Sequence, residues 1–208
     1  MRKFANGVLT KFHYFGILGL ILVLASCTEI EDKEPPKIGE VHEGGVVSHL
    51  FTSSQDGYVK GETHGIIVAE ADLTLESQWG CRGTAVENTS PAIGRGRSNT
   101  ERVLEFHDNL PDYYNNPEQC DELNDGTVAA NFAREYNLNG FDDWFMPSQK
   151  EMALLYERRD EIGGFVEEEY WSSCESNATN ACVVSFITGE ILSADKSETK
   201  KVRVIRYF

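Results

Sequence analysis

The sequence predicts an α+β domain in which antiparallel strands lie at both ends and helices lie between them. Residues 44–47 and 65–69 are short runs rich in β-branched residues beside glycine or polar residues, which is typical of strands. The last third contains further short apolar runs separated by turns, at 170–173, 181–187, 190–194 and 201–208. We expect these runs to form antiparallel strands and the terminal strands to pair with one another.

Two to three helices are predicted between these strands. Three segments repeat their larger side chains at the spacing of one helix face: Val103, Phe106, His107 and Leu110; Ala129, Phe132, Ala133 and Tyr136; Met152, Leu155 and Tyr156. The third segment also has a start signal, because Ser148 and Glu151 have the spacing of a capping box. We therefore expect a helix to begin at Ser148.

The amino terminus predicts a secretory signal peptide at residues 1–26. It contains three basic residues (Arg2, Lys3 and Lys11) and no acidic residue, and residues 15–25 form an apolar run. The sequence Leu-Ala-Ser-Cys at 24–27 resembles the lipobox of bacterial lipoproteins, which implies lipidation of Cys27 and removal of the preceding segment. The alternative is an uncleaved transmembrane helix, although the run is shorter than the roughly 20 residues that span a bilayer.

Residues 27–42 are predicted to be an acidic, solvated tether, and residues 43–208 the folded domain. The tether is charged and carries Pro35 and Pro36. An acidic run directly after the cysteine resembles the export signal of Bacteroidota-type lipoproteins, and a periplasmic spacer is the alternative. We expect a lipid-anchored protein of the outer membrane, on the cell surface or the periplasmic face, that contacts the membrane through its lipid alone.

The charge balance argues against polyanionic partners. The chain has 34 acidic and 19 basic residues, for a formal net charge of −15. Binding to DNA or RNA depends on clustered Lys and Arg that displace counterions from the phosphate backbone. We therefore expect no nucleic-acid partner.

Four cysteines besides Cys27 predict two disulfides, because an exported chain folds in an oxidising compartment. Three pairings are possible. We favour Cys174 with Cys182, which flank a short polar segment resembling a turn, and therefore Cys81 with Cys120. A zinc site is the alternative, but no Cys-x-x-Cys spacing occurs.

Two segments hold the candidate ligand-binding residues. Residues 94–100 are expected to precede a helix, where backbone N–H groups with Arg95, Arg97 and Asn99 can bind a phosphate or sulfate. The alternative is that the glycines only shape the loop, because the segment lacks the lysine of a phosphate-binding loop. Asp142 and Asp143 are the second candidates, because a carboxylate pair could serve acid/base or metal chemistry. We expect them instead to diverge, since successive residues of a strand face opposite ways, while Trp144 and Phe145 pack in or against the core.

No cofactor and no catalytic residue is predicted. Calcium is considered only at residues 121–126, which lack the alternating acids and distal Glu of an EF-hand. The sequence contains no His-Glu-x-x-His and no Gly-x-Ser-x-Gly motif. The three tryptophans, Trp79, Trp144 and Trp171, are expected in the core, with sugar stacking as the alternative.

Several short motifs occur together in a fixed order. They are 44–47 (GGVV), 79–81 (WGC), 92–96 (AIGxG), 99–100 (NT), 142–148 (DDWFxPS), 151–152 (EM), 163–164 (GG), 170–173 (YWSS) and 202–206 (VRxIR). In this order they resemble the Legionella collagen-like protein C-terminal domain family over residues 43–208. The resemblance implies a C-type-lectin-like fold with paired terminal strands, two helices on the sheet and a ligand site in an irregular loop region.

The resemblance implies a surface adhesion domain, and the best-understood member of the family binds sulfated glycosaminoglycans. The acidic charge of this chain disfavours a sulfated ligand, so we do not predict that it binds glycosaminoglycans. We predict a non-catalytic binding or adhesion module for a glycan or a surface protein. The alternatives are a polysaccharide-acting enzyme and a structural subunit of a surface assembly, which would show an open strand edge or an exposed apolar patch.

Overall fold

The fold consists of two antiparallel sheets with helices between them in the chain. The computed structural model describes residues 34–208, so the predicted signal peptide, Cys27 and residues 27–33 of the tether lie outside the described residues. In chain order the elements are β1 (Val41–His42), β2 (Gly45–Leu50), β3 (Gly65–Val68), α1 (Gly96–Asp108), a short 3-10 helix (Pro117–Gln119), α2 (Ala129–Glu135), α3 (Gln149–Glu157), α4 (Arg159–Ile162), β4 (Glu169–Glu175), β5 (Asn180–Ser185), β6 (Ile191–Asp195) and β7 (Ile205–Tyr207).

The first sheet joins the two ends of the domain. Its strand order is β1-β2-β3-β7, and β3 pairs antiparallel with β7 through Val68 and Ile205. The predicted pairing of terminal strands is therefore confirmed. Strand β1 lies within the segment that was predicted to be tether. It pairs with β2 because Glu43 and Gly44, both with positive φ, turn the chain back on itself. The folded part thus begins before residue 43.

The second sheet has the order β4-β5-β6. Cys174 on β4 is bonded to Cys182 on β5, and the polar segment between these strands forms the predicted turn. The other disulfide joins Cys81 to Cys120. Both bonds have the pairing favoured from the sequence.

Residues 34–208 contain four α-helices, where two to three were expected. The capping box is confirmed: the Ser148 hydroxyl accepts from the Glu151 N–H, and the Glu151 carboxylate accepts from the Ser148 N–H at 2.7 Å. The additional helix arises because Arg158 leaves the helical conformation (φ −110°, ψ 13°) and the chain then turns again as α4. Residues 94–100 were expected to precede a helix. Helix α1 begins at Gly96, so residues 96–100 lie inside the helix.

Residues Pro35–Phe208 form one compact unit with its own hydrophobic core. Both sheets and both disulfides lie within it, which is what a domain needs to fold independently. All three tryptophans are buried, and Trp79 and Trp171 donate their indole N–H to the carbonyls of Ser172 and Ser77. The expectation that the tryptophans build the core is confirmed.

His107 on α1 connects this helix to the loop that carries Cys81. Its imidazole is fully buried; Nε2 accepts from the Cys81 N–H at 2.8 Å and Nδ1 donates to the Val103 carbonyl at 2.6 Å. Both ring nitrogens are therefore used by a neutral imidazole. Burial is the main reason why the pKa of His107 is lowered from 6.5 to about 4.

We expect acid to destabilise the domain through His107. The unfolded chain binds a proton at this side chain near pH 6.5 and the folded chain only near pH 4, so stability falls as the pH is lowered through this window. The loss amounts to roughly 3 kcal/mol at the low end. Urea unfolding at pH 7 and pH 4.5 measures it, with His107→Gln as the non-titrating comparison. An equal loss in both proteins would contradict the assignment.

Candidate functional site

A shallow groove on the surface collects three of the five predicted ligand-binding residues. It has a volume of about 270 Å³ and lies between α1, the segment before α3 and one side chain of α2. Its lining residues are Arg97, Thr100, Glu101, Leu104, Arg134, Asp142, Asp143, Trp144 and Phe145. We call this the α1 groove.

Helix α1 forms one wall of the α1 groove. Arg97, Glu101 and Leu104 follow one another at spacings of four and three residues, so they share one face of the helix. Glu101 and Leu104 were not predicted as site residues. The same spacing, read from the predicted Arg97, would have identified them; Arg134 on α2 has no comparable signal in the sequence.

The opposite wall is the segment that carries Asp142 and Asp143. It is an extended stretch and not a regular strand, fixed by a reciprocal pair of backbone hydrogen bonds between Phe145 and Ile205, each at 2.9 Å. The two carboxylates nevertheless diverge as expected: Asp142 is exposed, whereas Asp143 points toward Arg206. Trp144 and Phe145 are almost fully buried and form the apolar floor.

Asp143 is held as an anion by two guanidinium groups. Its Oδ1 lies 2.6 Å from Arg206 Nε and its Oδ2 lies 3.1 Å from Arg97 Nη2. Burial by itself raises the pKa of Asp143, but the hydrogen bond from Arg206 and the charges of both arginines outweigh it, so the net pKa lies below its ordinary value. A carboxylate held in this way is a fixed charge and a poor proton donor.

Arg97 is held in place on its other side by aromatic rings. Its guanidinium lies over Phe145 and Tyr207, 5.1 Å and 5.6 Å from the ring centroids. The rim of the α1 groove therefore contains ordered opposite charges, while Glu101 and Asp142 remain exposed beside them. Such a surface can accept hydrogen-bonding and apolar groups of one ligand at the same time.

The predicted anion loop is occupied by groups of the protein itself. The Gly94 N–H donates to Glu151 Oε1 at 2.7 Å, and the Gly96 N–H donates to the Tyr207 hydroxyl at 3.2 Å. Arg95 pairs with Asp56 at 2.6 Å and does not line the α1 groove. A buried carboxylate thus stands where an external phosphate or sulfate was expected.

Asn99 lies outside the α1 groove and is only 1% exposed. Its side-chain amide donates to the Ser90 carbonyl at 2.7 Å and accepts from the Ser90 N–H at 2.9 Å, and it also donates to Ser173 Oγ at 3.2 Å. These bonds use both ends of the amide. Asn99 therefore fastens the loop before α1 to β4.

A second groove lies on the other side of α1 and has a volume of about 330 Å³. It is lined by Val86, Glu87, Arg102, Glu105, Phe106, Asn109 and Leu110. None of the predicted ligand-binding residues reaches it. Because residues of α1 line both grooves, a variant that faces the second groove can serve as the control for a variant that faces the α1 groove.

The part of the chain from residue 34 onward contains no group of three or more His, Cys, Asp or Glu side chains suited to a metal ion. In the segment considered for calcium, Asp121 pairs with Arg82 and Asp125 accepts from the Thr127 hydroxyl. None of the helices within this range has both the length and the apolar character needed to span a bilayer.

No protein-family model matches the sequence, and no curated protein matches it. Among solved structures, the chain is similar to a fimbrial protein from Bacteroides ovatus, with 14% sequence identity and a TM-score of 0.46. The similarity covers 84% of this chain and 45% of that one, so the chain spans less than half of that structure. A likeness at this level assigns neither a ligand nor an activity.

Proposed function

We propose that this chain is a non-catalytic, lipid-anchored binding or adhesion module of the outer membrane, and that the α1 groove binds part of a glycan. The observation that carries this proposal is the groove itself, which combines an apolar floor of Trp144, Phe145 and Leu104 with a rim of charged side chains. Sugars offer both an apolar ring face and hydroxyl groups, which suit such a surface. A surface protein is the alternative ligand.

The carboxylates of the α1 groove favour binding over catalysis. A glycosidase needs two carboxyl groups that flank the sugar, one of them able to donate a proton. Asp143 is engaged by two arginines and Asp142 points outward, which supports a role in recognition.

We further propose that the domain has a C-type-lectin-like fold and belongs to the Legionella collagen-like protein C-terminal domain family. Two features support this: the pairing of β3 with β7, and the separate sheet β4-β5-β6 that follows the helices. In this proposal no cofactor takes part. Calcium dependence is tested by adding a chelator in the binding experiment below.

The lipid anchor is tested at Cys27. If this cysteine receives the lipid, Cys27→Ala abolishes membrane attachment, and we expect most of the variant to leave the membrane fraction after a high-salt wash. The measurement is the distribution of the full-length chain between membrane and soluble fractions. Retention of Cys27→Ala in the washed membranes would contradict the lipoprotein assignment and leave the groove proposal unaffected.

The first binding experiment is a glycan-array screen of residues 34–208, with calcium and again with chelator, beside a control protein of similar charge. Saturable binding that exceeds the control supports a glycan ligand, and sensitivity to chelator identifies a calcium requirement. Absence of binding to all glycans overturns the glycan assignment and directs the search to a protein ligand.

A pair of variants on α1 locates the binding surface. Glu101 lines the α1 groove and Glu105, one turn further along, lines the second groove; both are exposed. Glu101→Lys should lower the affinity for an array ligand at least about tenfold, which corresponds to about 1.4 kcal/mol, whereas Glu105→Lys should leave it within about twofold. Both variants have the same net charge, so long-range electrostatics cancel in the comparison. The reverse order would place the ligand in the second groove.

A further inference from the structure

Strand β6 is an edge of the second sheet, and its backbone has unused hydrogen-bonding groups. The bonds from the Ser185 N–H to the Glu190 carbonyl and from the Lys196 N–H to the Thr179 carbonyl bracket the β5–β6 ladder. Hydrogen-bonded and non-hydrogen-bonded residue pairs alternate along an antiparallel ladder. The backbone N–H and C=O groups of Leu192 and Ala194 therefore point toward β5. Those of Ile191 and Ser193 point away from β5, toward the open side of the strand. Among residues 34–208, no strand pairs with β6 on the side away from β5, so these outward groups have no partner in a ladder.

By the same alternation the backbone groups of Asp195 point away from β5, but Glu198 of the same chain already bonds to them. Glu198 donates its N–H to the Asp195 carbonyl at 3.0 Å, and its carboxylate accepts from the Asp195 N–H at 3.3 Å. At the other end, the Gly189 N–H is used by the Ser185 carbonyl. The open part of the edge is therefore limited to two donors and two acceptors, on Ile191 and Ser193.

Apolar side chains surround this open edge. Ile187 is 63% exposed, Ile191 52% and Leu192 38%. Proteins usually protect an edge strand with lysine, proline, a bulge or a covering element. The β5–β6 register is regular from Ile191 to Asp195, and residues 191–194 contain no charge and no proline.

We infer that β6 pairs antiparallel with β6 of a second copy of this chain, so that two three-stranded sheets join into one of six strands. A two-fold axis through Leu192 places Ile191 opposite Ser193 of the other copy. Each of the four outward groups then meets a complementary group, which gives four hydrogen bonds across the interface. A register centred on Ser193 would place Ile191 opposite Asp195, whose backbone is already bonded to Glu198.

The charge pattern also fits a second copy in this register. Glu190 lies opposite Ala194 and Asp195 lies opposite Gly189, so no two acidic residues face each other across the pair. The net charge of −15 opposes association at long range. We therefore expect a weak dimer that becomes tighter as salt screens this repulsion. This interface is independent of the α1 groove and of its ligand.

Cysteine cross-linking tests the register directly. In the two-fold register, residue 192 lies opposite residue 192 of the second copy at a non-hydrogen-bonded position. The Cβ atoms of such a pair lie about 4.5–5.5 Å apart, so a disulfide can join two cysteines placed there. Leu192→Cys in residues 34–208 should form a disulfide-linked dimer under mild oxidation at least tenfold faster than Ile191→Cys, which faces Ser193. Equal cross-linking of the two variants, or faster cross-linking of Ile191→Cys, overturns the register.

Sedimentation equilibrium of the same fragment tests the association itself. Ser193→Pro removes one outward N–H that no described bond within the chain uses, and Leu192→Lys places two like charges together at the axis. Each should raise the dimer dissociation constant at least tenfold, whereas Leu75→Lys, at another exposed leucine, should leave it unchanged. Unfolding midpoints verify that the variants fold. A fragment that remains monomeric at all concentrations and salt levels, or binds only a foreign strand, overturns the proposal.

Discussion

Replacing Glu151 with alanine should destabilise the domain by about 4 kcal/mol, because several buried donors would lose one shared acceptor. The carboxylate is fully buried and accepts from the Ser148 N–H, the Gly94 N–H and the Tyr207 hydroxyl, each at 2.7 Å. Burial raises the pKa of Glu151, although its three hydrogen bonds act in the opposite direction. One side chain thus connects α3, the loop before α1 and β7.

Urea unfolding measures this loss, with two comparison variants. Glu151→Gln keeps one acceptor oxygen but turns an amide NH₂ toward a donor, so we expect an intermediate loss of about 2 kcal/mol. Glu157→Ala changes an exposed residue of the same helix and should shift stability by no more than about 0.5 kcal/mol. If Glu151→Ala behaves like Glu157→Ala, the carboxylate does not connect these elements.

The two disulfides should contribute unequally to stability. Cys81 and Cys120 are 39 residues apart, whereas Cys174 and Cys182 are 8 apart. Since a cross-link restricts the unfolded chain more when it closes a longer loop, we expect a loss of about 4 kcal/mol for Cys81→Ala with Cys120→Ala. For Cys174→Ala with Cys182→Ala the same relation gives about 2.5 kcal/mol.

Urea unfolding of the two double variants provides the comparison, because each removes one bond and leaves the other. Cys81 also donates its N–H to His107, so distortion of this loop would add to the loss and increase the difference. A larger loss for the pair with the short separation would show that strain or packing at β4 and β5, and not loop closure, dominates.

Local signals in the sequence predicted local structure well. The capping box at Ser148, the helical period through Val103 and the turn between Cys174 and Cys182 involve residues close together in the chain, and each is present in the structure. The start of α1 was placed too late, since no N-cap side chain marks it: Arg95 holds that position without a side-chain cap.

The candidate site was predicted only in part because its contacts are long-range. The sequence shows Gly94 and Arg97 as a potential anion loop, but the acids that engage them, Glu151 and Asp143, lie 57 and 46 residues further along the chain. Hydrophobic periodicity carries no information about such pairs. The prediction therefore named segments that contribute to the α1 groove but did not identify which charged residues pair with each other.

A buried lysine shows the same limit. Lys196 follows β6 and has the sequence context of an exposed turn, yet its side chain is fully buried over the Trp79 ring and donates to the Thr84 carbonyl and the Glu175 carboxylate. Burial lowers the pKa of Lys196, and the pairing with Glu175 acts against that shift. A lysine is buried only where a partner exists, and Glu175 is 21 residues away.

The pairing of β3 with β7 affects how the domain folds. Val68 pairs with Ile205, 137 residues further along the chain, and Ile205 also exchanges two backbone hydrogen bonds with Phe145. The first sheet cannot close before β7 has been synthesised, and its closure depends on contacts between distant parts of the chain, which form slowly. The topology thus makes completion of the first sheet depend on a strand that follows both the helices and the second sheet.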